Sequence, residues 1–263
     1  MTRLQTIRHE ISCHGSPVKI VPLADLHIGD GHADQKKIAS LIEYIRTTPS
    51  CFCILDGDLM NTAIVNSKSD VYSEKLTPSE QLRRCVDIFS PLAKDGKILA
   101  VLTGNHEERI ARTAGVNLTQ VMACELGIPH LYSDTSTLLF LRFGKSTKQK
   151  KQIYSIYINH GFGGGGRRVG SKLNSLEDMA RIVTDADLYI CGHTHLPAVF
   201  RQSCYVCDKQ NMYARQQEQV FVNTASALNW SGSYGDRMGF KPNSTHYPVI
   251  ELDNREHKVT VTI

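Results

Sequence analysis

Lys97-Ile98-Leu99-Ala100-Val101-Leu102-Thr103-Gly104-Asn105-His106-Glu107 is the stretch from which the fold can be read. Its six mostly apolar residues predict a buried strand. A glycine stops the strand, and three polar side chains with chemical reach follow at once. Four further stretches share this design: Asp25-Leu26-His27, Gly57-Asp58, His160-Gly161 and Gly192-His193-Thr194-His195. In each, an apolar run ends in residues able to bind a metal.

The strands carrying these ends alternate with helices in the first half of the chain. Val18 to Ala24 is one apolar run, and Pro22 argues against its being fully paired along its whole length. A helix capped by Asp34 follows, with Ile38, Leu41, Ile42 and Ile45 on one face. Cys51 to Leu55 is the next strand, and residues 61–77 read as a polar surface excursion. Thr77-Pro78-Ser79-Glu80 starts a second helix, with an N-cap, a proline at its first position and a glutamate at its third. Its buried stripe is Leu82, Cys85, Val86 and Phe89. After strand 97–103, one or two helices run from about 106 to 126. This alternation implies crossover connections and a largely parallel sheet.

The second half changes style. There, 137–143 with 152–159 predict neighbouring strands joined by the basic loop 144–151, while at the start of the chain residues 3–12 predict an edge strand. A helix carries Leu173, Leu176, Ala180 and Val183. Short strands are expected at 187–191, 197–203, 219–223, 246–252 and 257–263. The expected fold is α/β: two packed sheets flanked by helices, in one domain spanning 1–263.

Composition sets outer bounds. Of 263 residues, 41% are hydrophobic and 21% charged, enough for a sizeable core without disulfides. The net charge of +4 is too small to name a partner. The eight cysteines do not form a disulfide framework. Cys51, Cys53, Cys85 and Cys124 fall where buried thiols belong, and Cys204-Tyr205-Val206-Cys207 lacks the second ligand pair of a zinc site. No signal peptide or membrane span is read, so the expected location is cytoplasmic, with no membrane partner.

In an open α/β sheet, ligands sit beyond the carboxyl ends of parallel strands. Asp25, Asp58, Asn105, His160 and His193 would therefore converge on one edge. Singly, each has a bland reading as a turn residue, a cap or a structural histidine. As a set, two Asp, one Asn and four His at five strand ends suit Mn, Fe, Zn or Ni rather than Mg or Ca alone. Seven ligands exceed what one ion needs and suffice for two if a carboxylate bridges. Two ions can clamp an in-line displacement at phosphorus.

The ordered set Asp-x-His, Gly-Asp, Gly-Asn-His-Glu, His-Gly, Gly-His-x-His resembles that of the calcineurin-like metallophosphoesterases, over roughly residues 18–230. The resemblance implies a pair of facing mixed sheets, a β-sandwich with helices on both outer faces. It implies that Asp25, His27 and His195 hold one metal, that Asp58 bridges, and that Asn105, His160 and His193 complete the other. His106 would serve the leaving oxygen, and Glu107 and Asp56 would support the ligands from behind. A water or hydroxide polarised by both ions would attack phosphorus. Mn²⁺ is the expected activator, with Fe, Zn or Ni as alternatives.

Substrate choice is read less directly. Protein Ser/Thr phosphatases of the superfamily usually carry Asp-Arg after Gly-Asp. Here Leu59-Met60-Asn61 follows, which looks more like a bacterial or phage-type phosphodiesterase, while the Glu after Gly-Asn-His is shared with the protein phosphatases. Arg109, with Arg112 beyond it, and the pair Arg167 and Arg168 after the glycine run Gly161 to Gly166 are candidates to hold a phosphate ester. A loop with solvated arginines is the plainer alternative. Phe162, Trp230 and Tyr234 are candidates to stack a base. The expectation is a two-metal phosphodiesterase acting on DNA, RNA or a nucleotide, similar to the exonuclease branch but without its large accessory segments. The alternatives are a phosphomonoesterase or protein phosphatase, and a non-catalytic scaffold. The oligomeric state is not legible.

Overall fold

The computed structural model describes residues 4–12, 16–65, 67, 71–143, 152–163 and 166–263. The expected alternation is present. Strand β1 (Thr6–Ile11) and β2 (Val18–Leu23) lead to helix α1 (Gln35–Thr47), whose first turn is capped by Asp34 Oδ1 accepting from Lys37 N at 3.0 Å. Strand β3 (Cys51–Asp56) precedes α2 (Pro78–Lys94), where Thr77 and Glu80 form the reciprocal capping box. Then come β4 (Ile98–Leu102), α3 (Asn105–Ala114), α4 (Leu118–Glu125) and the short β5 (Tyr132–Ser133). The second half holds β6 (Ser136–Phe143), β7 (Ile153–Asn159), α5 (Val169–Asp178), β8 (Leu188–Cys191), β9 (Ala198–Asp208), β10 (Tyr213–Asn223), the one-turn α6 (Tyr234–Arg237), β11 (Val249–Leu252) and β12 (Val259–Thr262).

These strands form two six-stranded mixed sheets. The first has the order β12-β11-β2-β3-β4-β5, with β2 to β5 parallel. The second has the order β1-β6-β7-β8-β10-β9, in which β7, β8 and β10 are parallel and β9 returns antiparallel at the edge. Inner faces meet in one buried cluster that joins Ile20, Ile54 and Ala100 of the first sheet to Leu139, Ile156, Leu188 and Val222 of the second. Ile38, Ile45, Phe89 and Leu92 bring α1 and α2 onto the outer face of the first sheet. Leu176 and Met179 cover the second, over Tyr157, Tyr189 and Phe221. Pro22 sits in a central strand, but β11 pairs with β2 only over 18–20, so the missing N–H of Pro22 lies past the end of its neighbour.

Several expectations change. Residues 61–63 are buried, so the stretch expected to be a surface excursion begins inside the molecule. The buried stripe of α2 is Gln81, Cys85, Phe89 and Leu92, with Leu82 and Val86 only half-covered. Cys124 is exposed on the outer side of α4, not buried. The strands expected at 197–203 and 219–223 are the inner halves of one long hairpin, 198–208 with 213–223. Its outer half carries few apolar residues, so no alternation marks it in the sequence. Cys204 and Cys207 lie three apart on β9, on opposite faces, and are free thiols. The basic loop 144–151 lies outside the described residues. No helix among the described residues is long and apolar enough to cross a membrane.

Candidate metal centre

All five polar strand ends meet at one edge of the sandwich. Beyond β2 and β3 the chains stay paired after the strands end: Asp25 N donates to Gly57 O at 3.2 Å, His27 N to Asp58 O at 3.0 Å, and Ile28 N to Leu59 O at 2.8 Å. The close approach needs glycines. Gly57 has φ +75°, and a Cβ there would stand 2.6 Å from Gly104 Cα and 2.8 Å from His160 Nδ1. At Gly104 a Cβ would overlap the Asp58 carboxylate. Asp25, His27, Asp58, His193 and His195 all adopt left-handed backbone, with φ between 47° and 66°. Such conformations are unfavourable for non-glycine residues and concentrate at functional sites.

Three groups of side chains have their ligand atoms within 4.8 Å of one another: Asp25, His27 and His195; His27, Asp58 and His106; and Asp58, His160 and His193. Asp58 links the second and third. In the first group His195 Nε2 stands 3.1 Å from Asp25 Oδ1 and 3.1 Å from His27 Nε2. In the third, His160 Nε2 stands 3.2 Å from Asp58 Oδ2. Asn105 Oδ1 joins it, 2.7 Å from His193 Nδ1. All seven expected ligands are thus brought together.

The histidines are oriented from behind. For three of the four, the ring nitrogen turned away from the centre meets a carbonyl oxygen: His27 Nδ1 at Asn61 Oδ1 (3.2 Å), His160 Nδ1 at Asp56 O (2.5 Å), and His193 Nε2 at Gly163 O (2.6 Å). This contact orients the ring and turns the other nitrogen toward the centre, where an ion would take the place of its proton. Two buried atoms of the cluster, Asp25 Oδ1 and His160 Nε2, have no properly directed hydrogen bond. Unsatisfied buried donors and acceptors of this kind, in a set of carboxylates, imidazoles and one amide, fit divalent transition metals.

Charges within the cluster compensate one another. Burial works to raise the Asp58 carboxyl, but the surrounding imidazoles of His106 and His160 outweigh it and hold the group well below the usual range. Asp25 is likewise burdened by burial and lowered on balance by His195 and His160. Burial, together with His106 and His195, pushes His27 well down, so its ring is neutral. His160 is raised well above its ordinary value: burial opposes this, but Asp58, Asp25 and Asp56 surround it.

His106 faces the same space. Its Nε2 is 3.7 Å from Asp58 Oδ2, its Nδ1 is 2.8 Å from Asn61 O, and its backbone N donates to Asp58 Oδ1 at 2.8 Å. Glu107 points the other way, into the protein. Its carboxylate accepts from the backbone N of Asp58 (3.0 Å), Gly104 (3.0 Å) and Met60 (2.8 Å), bracing two loops at once. Burial and the nearby Asp58 raise its pKa to about 7. Asp56 is wholly buried behind His160, and burial pushes its carboxyl well up.

The expected substrate residues are placed less uniformly. Asn61 is 1% exposed, and its amide is engaged by His27, Glu74 and Asp30. Arg109 is half-buried near Asp58, Glu107 and Glu74, with Nη1 buried and unbonded. Arg167 and Arg168 are exposed at the start of α5, Arg167 reaching Met238 O at 3.3 Å. Gly164 and Gly165 of the glycine run lie outside the described residues. Trp230 donates to Phe240 O at 2.9 Å, and the same segment reaches His195 O through Asn243 Nδ2 at 2.8 Å.

Sequence reading missed two supporting residues. Gln81, buried under the site, accepts from Thr62 N at 2.8 Å and donates to Leu76 O at 2.8 Å. Its signal was its place four residues before Cys85, in line with the buried stripe. Lys172 donates to Thr194 O at 3.1 Å, between His193 and His195; nothing in the sequence marks it.

The sequence model of calcineurin-like phosphoesterases matches residues 19–197. Among solved structures, Vacuolar Protein Sorting 29 from Cryptosporidium parvum is 15% identical, with TM-score 0.42, covering 94% of this chain and 96% of that one. A metallophosphoesterase from Sphaerobacter thermophilus is 13% identical, with TM-score 0.41, covering 93% and 87%. A Streptococcus pneumoniae protein described as a predicted phosphoesterase is 12% identical, with TM-score 0.38, covering 94% and 98%. No curated protein matches the chain.

Proposed function

The chain belongs to the calcineurin-like phosphoesterases, and from that premise we propose that it is a metal-dependent phosphodiesterase acting on a nucleic acid or a nucleotide. The observation that carries this reading is the complete pair of ligand groups joined at Asp58, with His106 Nε2 turned toward that carboxylate. Asp25, His27 and His195 would hold one divalent ion, and Asn105, His160 and His193 the other, with Asp58 shared. Ions held there would polarise the phosphoryl oxygens and supply a nucleophile at neutral pH. The residues suit Mn²⁺, the expected activator, and also Fe, Zn or Ni.

The protein's own groups do the rest. Asn61 O accepts from His106 Nδ1–H and so fixes the ring; with a second proton on Nε2, the imidazolium, favoured by the nearby Asp58 carboxylate against burial, would hand that proton to the leaving oxygen and return to the neutral Nδ1–H form. Asn61 Oδ1 orients His27, so its part is positioning rather than substrate contact. Arg109 meets the phosphate, and its one guanidinium amid three carboxylates balances a singly charged diester better than a dianionic monoester. Arg167 and Arg168 contact the continuing phosphate chain of a larger substrate.

The test is a Mn²⁺-activated comparison of bis(4-nitrophenyl) phosphate with 4-nitrophenyl phosphate, beside DNA, RNA and cyclic nucleotides, with Asp58→Ala as the blank. Faster diester cleavage is expected. Faster monoester cleavage would move the assignment to a phosphomonoesterase. Failure to bind any transition metal would leave only a scaffold of the same fold.

A further inference from the structure

Beside the second ligand group lies a cavity of about 190 Å³, with Asn105 and His160 at its inner end. Its walls differ sharply from the start of α5. Glu108 and Asp134 bring two carboxylates, Asn159 and Thr135 bring neutral polar groups, and Phe162, 50% exposed, closes one side. The exposed cations Arg167 and Arg168 stand instead at the start of α5, where Arg167 reaches Met238 O.

The cavity is built, not incidental. Asp134 Oδ1 accepts from Asn117 Nδ2 at 3.0 Å and from Tyr132 Oη at 2.9 Å, which fixes the carboxylate in the cavity wall. Asn159 Oδ1 accepts from Gly161 N at 2.8 Å, which sets the turn that carries Phe162. Glu108 is tied only to Arg112, one turn along α3 and exposed. His160 and Asn105, which line the cavity and belong to the second ligand group, join it to the reacting centre.

Two carboxylates beside a phosphate site repel a second phosphate and accept hydrogen bonds from N–H and O–H groups. An aromatic face offers stacking to a flat ring and is indifferent to its sequence identity. A volume of this size admits one ring system. We propose that this cavity is the pocket for the nucleoside esterified to the reacting phosphate: its base stacks on Phe162, its donor groups face Asp134 and Glu108, and a nucleoside bearing another phosphate is rejected. The polyanionic remainder of a longer substrate then leaves over the α5 side. This inference rests on the phosphodiesterase reading for its chemistry, but not for its binding.

Two arms separate the failures. In the binding arm, adenosine, adenosine 5′-phosphate and adenosine 3′,5′-bisphosphate are titrated calorimetrically into Asp58→Ala protein. Adenosine should bind, the bisphosphate should bind at least about tenfold more weakly than the monophosphate, and Phe162→Ala added to Asp58→Ala should weaken all three by about tenfold. In the kinetic arm, wild type should favour a nucleoside 5′-(4-nitrophenyl) phosphate over its 3′-phosphorylated form by about tenfold in kcat/KM. Glu108→Gln with Asp134→Asn should bring that ratio to about 2. Glu108→Gln alone, on the exposed side of α3, keeps the test open if the double variant melts early. If wild type cleaves bis(4-nitrophenyl) phosphate but the ratio is the same in the variants, the pocket assignment is wrong. If no ester is cleaved while adenosine binding still depends on Phe162, the catalytic reading fails and the pocket stands. Adenosine binding unaffected by Phe162→Ala overturns the pocket.

Discussion

The two sheets equip the centre in different ways. The first sheet supplies both carboxylates, Asp25 and Asp58, together with His27, Asn105 and His106, from the ends of three parallel strands. The second supplies only imidazoles: His160, His193 and His195. Bracing follows the same division. In the first sheet the loops are laced to one another by backbone bonds at 25–28 and 57–59, and Glu107 clamps three amides from below. In the second, the two histidine loops are joined by Gly192 N to His160 O at 3.0 Å and by His193 Nε2 at Gly163 O, and His193 N donates across to Asp25 Oδ2 of the first sheet at 2.9 Å. Carboxylates repel each other until a cation arrives, so the half of the site that carries them needs the stiffer frame. Imidazoles carry no negative charge in either protonation state and make no such demand.

That division can be broken by experiment. The largest effect is expected for Asp58→Ala, which should abolish activity and reduce bound metal from two equivalents to none. His193→Ala, in the second sheet, should lose one equivalent and keep the other, as read by metal analysis after dialysis. Equal metal loss in both variants would erase the distinction between the sheets. His106→Ala should retain two equivalents while kcat falls by about 10²–10⁴. Parallel loss of metal would make His106 a ligand rather than a proton donor.

Glu107→Gln removes charge and one acceptor from a group bonded to three amides. A loss of about 2 kcal/mol is expected, seen as a fall of about 5 °C in Tm. A variant as stable as wild type would mean that the lacing alone holds the first sheet's loops.

The smallest effect concerns the far end of the second sheet. Burial tends to raise the Asp187 carboxyl, but His257 at 2.9 Å and the Ser155 amide and hydroxyl hold it below the ordinary range. A lowered carboxyl stabilises the fold above its unfolded pKa of about 4, and this contribution disappears as pH falls through the folded value. Denaturation midpoints should therefore drop more steeply below pH 4 for wild type than for Asp187→Asn. The expected difference is about 1 kcal/mol; parallel curves would remove Asp187 from the account of acid stability.

Much of the centre was legible because its ligands sit where local signals are strongest. Val18 to Ala24, Cys51 to Leu55 and 97–103 announce themselves as buried strands, and polar residues directly after them have one place to go. Asn61 was harder. Its spacing after Asp58 marks it as part of the site, but not that the chain turns inward at 61–63 and spends its amide on His27. Gln81 was hidden because a polar residue in a buried stripe reads as the edge of that stripe. The outer half of the 198–208 and 213–223 hairpin is held by backbone pairing between polar residues, and backbone pairing leaves no side-chain pattern. Asp134 and Phe162 come from separate connections and acquire meaning only when folded beside Asn105.

The left-handed backbone at Asp25, His27, Asp58, His193 and His195 sets heat resistance against function. Glycine at each position would relieve about 1 kcal/mol of conformational strain, and five such changes would approach the whole stability of a typical domain. An engineer seeking thermal tolerance by scanning substitutions without an activity screen would be drawn first to these five positions. The sturdiest protein obtained in that way would be one that had discarded most of its ligands.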